Sequence, residues 1–197
     1  MAAIHEAAIA EVTEVGLGRM TMEGISRRAG AAKTSLYRRW SSPHDLLLDA
    51  LHATFPQEEP SPATDDLRRD LIGALRRMVV WLGSPQARAV AAIMTERDLH
   101  PGLAEELFER VFEPRGGRFT RTVLRHYAER GAIDPALVTA VVEDIGEALV
   151  IKRFNDTGEL PDDTVITAIV DQAILPAVGM LPDRRPEGRP PHTLRRP

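Results

Sequence analysis

The sequence predicts an all-α fold of about nine helices: an N-terminal three-helix module of helix-turn-helix type, then a larger helical domain. Three observations predict it. Apolar residues recur at helical spacing along nearly the whole chain, and no stretch alternates as a strand would. Glycines and Ser-Pro or Asp-Pro pairs fall where such helices would stop and start. A proline-rich run at 56–64 divides a short first segment from a longer second one.

In order along the chain, Ile4, Ala8, Val12 and Val15 share one face of a first helix that Gly16 ends. Thr21 can cap a second helix reaching about Ala29, its hydroxyl accepting from a backbone N–H left without a partner. Gly30 supplies a turn, and a third helix follows from about Lys33 to Trp40. Ser42-Pro43 reads as cap and first residue of a fourth helix bearing Leu47, Leu51 and Phe55. Beyond Pro56–Thr64, the stripe Leu67, Leu71, Leu75, Met78 and Leu82 marks a long amphipathic helix. Ser84-Pro85 starts another, to His100-Pro101, and a long helix then runs to Arg130 and Gly131. Pro114, Gly116 and Gly117 should kink or split that helix. Asp134-Pro135 opens the next, to about Phe154, and the last spans about Asp162 to Val178. The boundaries predicted are 1–52 for the module, 53–181 for the body, and 182–197 for a basic tail with nothing to bury, expected to be disordered.

Composition narrows the function. The chain is 43% hydrophobic and 27% charged, ordinary values for a globular protein, and no run of apolar residues is long enough for a membrane span. It has no cysteine, hence no thiol nucleophile, and no basic-then-apolar leader is visible, which fits a cytoplasmic protein. Net charge is −4. Resolved along the chain, residues 1–52 balance six acids with six bases, 53–183 hold 22 acids against 14 bases, and the tail is basic. No acid lies between Glu23 and Asp45, whereas Arg27, Arg28, Lys33, Arg38 and Arg39 all do. Such a patch can bind a polyanion, or be a solvated helix face.

Two short helices joined through Gly30 fit the helix-turn-helix pattern, whose second helix enters the DNA major groove. Ile25, Ala29, Leu36 and Trp40 would face inward, leaving Lys33, Thr34, Ser35, Tyr37 and Arg38 outward. Hydroxyls, a lysine and an arginine suit base edges and phosphates. Tyr37 reads as a phosphate contact or as a packing residue, and Arg39 as exposed or paired with Asp45 or Asp49. The run Ala7-Ala8-Ile9, Val15-Gly16, Thr21, Ile25, Arg28-Ala29-Gly30, Ser35-Leu36-Tyr37, Trp40 and Leu46 resembles the N-terminal module of the TetR family of regulators, over about residues 4–52. The body resembles the family more loosely. The resemblance implies a homodimer that binds double-stranded operator DNA and releases it when a small-molecule effector enters the body. It also implies that Thr21 and Tyr37 lie on phosphates, with Lys33, Thr34, Ser35 and Arg38 at or near bases and backbone. Two features depart from the family's pattern: Pro43 replaces a lysine common at the start of the fourth helix, and the basic residues that often precede the first helix are missing.

The body suggests no enzyme and no cofactor or metal, since Gly-rich phosphate loops, His-Glu-x-x-His and Gly-x-Ser-x-Gly are lacking. Asp65-Asp66 and Asp162-Asp163 read as helix starts. Met78, Trp81, Met94, Phe108, Phe112, Phe119 and Tyr127 are core residues singly, and as a group would line an effector pocket. The last two helices carry Val142, Ile145, Gly146, Leu149, Ile166, Ile169 and Ala173, expected at a dimer interface because a helix apolar on all sides must bury more than one face. The alternatives are a helical small-molecule-binding or scaffold protein with a basic N-terminal module, and an activator in place of a repressor.

Overall fold

The structure is a computed structural model that describes residues 1–56, 65–116 and 119–180. Among these the fold is all helical, with no strand. The predicted tail lies outside the described residues, as do Gly117 and most of the proline-rich run.

The first four helices are α1 (Ala2–Val15), α2 (Met22–Ala29), α3 (Lys33–Tyr37) and α4 (Pro43–Thr54). The local signals act as expected. Gly16 leaves α1 at φ 83°, Thr21 Oγ1 accepts from Gly24 N at 3.0 Å, and Gly30 turns the chain at φ 61°. Ser42 caps α4 by accepting from Asp45 N, with Pro43 in the first turn. Helix α3 is shorter than expected: it stops at Tyr37, with Arg38 as its C-cap and Arg39 in the following turn, so Trp40 closes the module from outside the helix.

The body holds α5 (Leu67–Leu82), α6 (Pro85–Thr95), α7 (Pro101–Leu107), α8 (Glu113–Arg115), α9 (Phe119–Glu129), α10 (Ala140–Thr157), α11 (Asp163–Ile169) and α12 (Leu175–Ala177). The expected long helix from Pro101 to Arg130 is divided. A π turn at Phe108–Phe112 widens the α7–α8 helix, and Gly116 ends it at φ 85°. A second π turn, Val170–Ile174, joins α11 to α12. The helix expected from Asp134 begins later. Pro135–Leu137 form one 3₁₀ turn, and Thr139, accepting from Val142 N, caps α10 proper.

Two cores result. One packs Ala8, Val12, Ile25, Leu36, Leu47 and Leu51 of the first four helices against Ile93, Leu107 and Val111. This core extends beyond residue 52, where the sequence placed the end of the module. The other gathers Leu71, Leu75, Leu124, Val150, Val170 and Ile174 around α5. Trp81 packs against both, at the seam between them.

Candidate nucleic-acid interface and effector region

Leu36 is fully buried and anchors α3, whose remaining residues are thereby turned outward. Lys33, Thr34, Tyr37 and Arg38 are exposed and Ser35 is partly buried. Thr21, exposed at the start of α2, places its hydroxyl in the cap bond. Of the six sequence-predicted contacts, Thr21 stands at the start of α2, and the other five lie along α3 and its C-cap, after the turn at Gly30.

Their electrostatics are less simple than a free basic patch. Lys33 forms an ion pair with Glu23 across the turn, and its Nζ stands 5.6 Å from the Tyr37 ring centroid. Hydrogen bonding between the two lowers the Glu23 pKa and raises that of Lys33. Arg28 is turned away from the surface of α3. Its Nε donates to Glu11 at 2.6 Å and its Nη1 to Glu14 at 2.9 Å, both on α1. Glu11 is buried (3% exposed) and lies where a Cβ on Gly24 would have to go, so the close approach of α1 and α2 depends on that glycine. The sequence reading missed Glu11; its signal is a carboxylate on the same helical face as Ala8, Val12 and Val15. Arg39 pairs with neither Asp45 nor Asp49. It packs 5.5 Å from the Trp40 ring, because Asp49 already accepts from Trp40 Nε1 at 3.0 Å and Asp45 from Arg110 at 2.8 Å. Arg27, Arg38 and Arg39 are the arginines of the patch without an ion pair among the described residues.

A model of bacterial regulatory proteins of the tetR family matches residues 4–50. A second, tetracyclin repressor-like, C-terminal domain, matches residues 61–173, more than half of the chain. The chain belongs to the TetR family. An uncharacterised HTH-type transcriptional regulator of Mycobacterium tuberculosis is 27% identical over 165 residues, 84% of this chain and 81% of that one. A DNA-binding transcriptional repressor, TetR, of Mycobacteroides abscessus is 29% identical over 181 residues, 88% and 91% of the two chains. Among solved structures, a TetR-family regulator from Mesorhizobium loti superimposes with a TM-score of 0.66, 19% identity, and 90% and 94% coverage, a likeness of fold. TetR-family proteins are DNA-binding transcriptional regulators, and so is this chain. No group of three or more metal-capable side chains, and no helix long and apolar enough to cross a membrane, occurs among the described residues.

In this TetR-family body the expected effector contacts are divided between the two cores. Met78, Phe119 and Tyr127 are buried in the second core, whereas Met94 and Phe112 pack against the first. The Tyr127 hydroxyl donates to the buried Asp70 carboxylate at 2.6 Å, which makes Tyr127 a structural hydrogen-bond donor. What does assemble is a ring cluster at the seam. Phe55, at the end of α4, lies 5.3 Å from Trp81, 5.1 Å from Phe112 and 6.5 Å from Phe119, and Phe108 lies 5.2 Å from Phe112. The sequence placed Phe55 only among the apolar residues of the fourth helix; its position at the end of a helix that packs on both module and body was its signal. Neither of two surface cavities, of about 330 and 350 Å³, is lined by any of the expected effector contacts.

The expected dimer seam also divides. Gly146 brings α10 against the chain's own α5 and α9: an added Cβ would meet Thr120 at 2.7 Å, Ile174 at 3.0 Å and Leu75 at 3.2 Å. Ile166 and Ile169 are buried in the second core. These three serve the subunit's own packing. Val142, Ile145 and Ala173 are partly buried and Leu149 is exposed, with Val141 at 75% exposure one turn before Ile145.

Proposed function

We propose that this regulator is a repressor that binds an inverted-repeat operator as a homodimer and leaves it when a small molecule enters the body. The observation that carries the DNA-binding half is α3 itself: one fully buried leucine and, around it, the exposed Lys33, Thr34, Tyr37 and Arg38. A helix of that build, following a tight glycine turn, fits a major groove, with Thr21 and Tyr37 toward phosphate and Lys33, Thr34, Ser35 and Arg38 at or near bases and backbone. The likeness to the Mycobacteroides abscessus repressor supports repression. Val141, Ile145 and Leu149 form an i, i+4, i+8 apolar stripe on α10, and this stripe, with the partly buried Ala173 in the second π turn, supports a dimer through the C-terminal helices. The place of action is the cytoplasm, with the DNA, and the chain is read as having no catalytic activity and no membrane partner.

Selection of bound sequences from random duplexes should yield inverted repeats, with half-sites about one helical turn, or a small multiple of one, apart. On the selected duplex, Tyr37→Phe should weaken binding to all sequences alike. Arg38→Ala should also change sequence preference, at about 1–3 kcal/mol per lost base contact. Lys33 must exchange Glu23 for the duplex, so Glu23→Gln should tighten binding and Lys33→Ala should loosen it. A folded Lys33→Ala/Tyr37→Phe double variant that binds the selected DNA normally would overturn the reading.

A further inference from the structure

Among the described residues, Trp81 carries a buried indole N–H with no hydrogen-bond acceptor. Its ring is only partly buried, yet its Nε1 is shut off from solvent. The other tryptophan, Trp40, gives its N–H to Asp49. Buried donors in native proteins are nearly always paired, so an orphan next to a wall of rings asks for a reason. The nearest rings are Phe55, at 5.3 Å and 66° to Trp81, and Phe119, at 6.4 Å. A ring face is a weak acceptor at best, readily replaced by an oxygen.

We propose that the Trp81 N–H is the donor that recognises the effector, and that the effector is a planar, apolar, ring-bearing molecule presenting one acceptor oxygen, such as an aryl ketone or quinone. This rests on the reading that the body takes an effector, and adds its chemistry. The rings of Phe55, Phe112 and Phe119 suit a flat apolar body, and the single orphan donor selects one acceptor. A partly exposed ring must move to admit it. Phe112 belongs to the π turn, a local geometry that often marks functional positions, and rewinding of that turn to α-helix is the movement the proposal assigns to ligand entry. The same turn carries Arg110, which holds Asp45 in the first turn of α4, while Phe55 ends that helix. Ligand placed at Trp81 therefore acts on both ends of α4 at once.

The test uses a matched pair of probes: 2-acetylnaphthalene and 2-isopropenylnaphthalene, of nearly equal shape but differing by a carbonyl for a methylene. Full-length protein should bind the ketone about ten-fold more tightly, the range set by satisfying one buried donor. In Trp81→Phe the two should bind alike. Should that variant fail to fold, the wild-type indole N–H resonances in a ¹⁵N-labelled sample decide. The ketone should move the Trp81 signal downfield and the alkene should not, while Trp40, already bonded to Asp49, stays in place. Equal affinities in the wild type, an unmoved Trp81 resonance, or no binding of either probe would each overturn the assignment. If the assignment fails but a wider compound screen still finds one that releases the selected operator, the effector-released repressor stands. If no compound releases it, that reading fails instead.

Discussion

Gly146→Ala weighs two opposed effects within one helix. Gly146 lies in the middle of α10, where alanine should favour the helix by about 1 kcal/mol over glycine. Against this, the new Cβ enters space already occupied on three sides. Thr120 Cγ2 stands at 2.7 Å, closer than real Cβ contacts come, and Ile174 and Leu75 at 3.0 and 3.2 Å. Those three neighbours belong to α9, the second π turn and α5, so no single rigid shift relieves all of them. Thr120 is least able to yield, because its buried hydroxyl donates to the Glu143 carbonyl at 2.9 Å. Overpacking of this kind costs about 1–3 kcal/mol. The net expectation is a loss of about 1 kcal/mol, or about 2–4 °C in Tm for a chain of this size. Thermal unfolding followed by circular dichroism at two protein concentrations measures it, with sedimentation to fix the oligomeric state. A variant as stable as wild type but shifted toward monomer would refute the argument, because it would put Gly146 at the seam between subunits.

Tyr127→Phe removes the donor to buried Asp70 and should cost about 1.5–3 kcal/mol, or about 3–12 °C in Tm, without altering release of DNA by an effector; an unchanged Tm with lost response would restore Tyr127 as a ligand contact. Burial acts to raise the Asp45 pKa, but hydrogen bonds from Arg110 and Ser41 outweigh it and hold the carboxyl below its ordinary value of 3.8. A depressed carboxylate stabilises the fold fully above that ordinary value and loses the contribution as pH falls through the folded pKa, so wild type should lose more stability than Arg110→Gln below about pH 4, read as Tm against pH. Leu149→Arg, at an exposed position, should dissociate the dimer in sedimentation while leaving the subunit's helix content intact. Ile169→Glu should instead unfold the subunit, since Ile169 is already buried.

The reading module was legible because local chemistry decides it. Thr21, Gly30 and Ser42-Pro43 act through their own backbone neighbours, and a face such as Ala8–Val12 has only one core to meet. The body was less legible because its partners are distant in sequence. The hydroxyl of Tyr127 finds Asp70, 57 residues away, and the approach allowed by Gly146 is used by Thr120 and Leu75 within the same subunit. In the apolar last helix, spacing alone could not say which residues face the subunit's own core: Ile166 and Ile169 go inward, while α10 carries the exposed Val141 and Leu149. In the basic patch, counting charges could not show that Glu11, buried between two helices, removes Arg28 from the surface of α3.

The position of α4 supports the proposal that an effector acting on the ring cluster would reach the reading helix. Its first turn is tied to the body by Asp45 and Arg110, its middle is buried with α1 in the first core, and its last residue meets the ring cluster at Phe55. Interiors are packed too densely to deform by degrees, so a change at either end is carried along the helix as a shift of the whole element. The first π turn touches both ends, through Arg110 and through Phe112. A molecule that prefers the rewound turn by the usual coupling of about 1–3 kcal/mol would weaken operator binding by about 5–150-fold. A molecule that fits both forms of the turn equally would bind and leave the operator occupied.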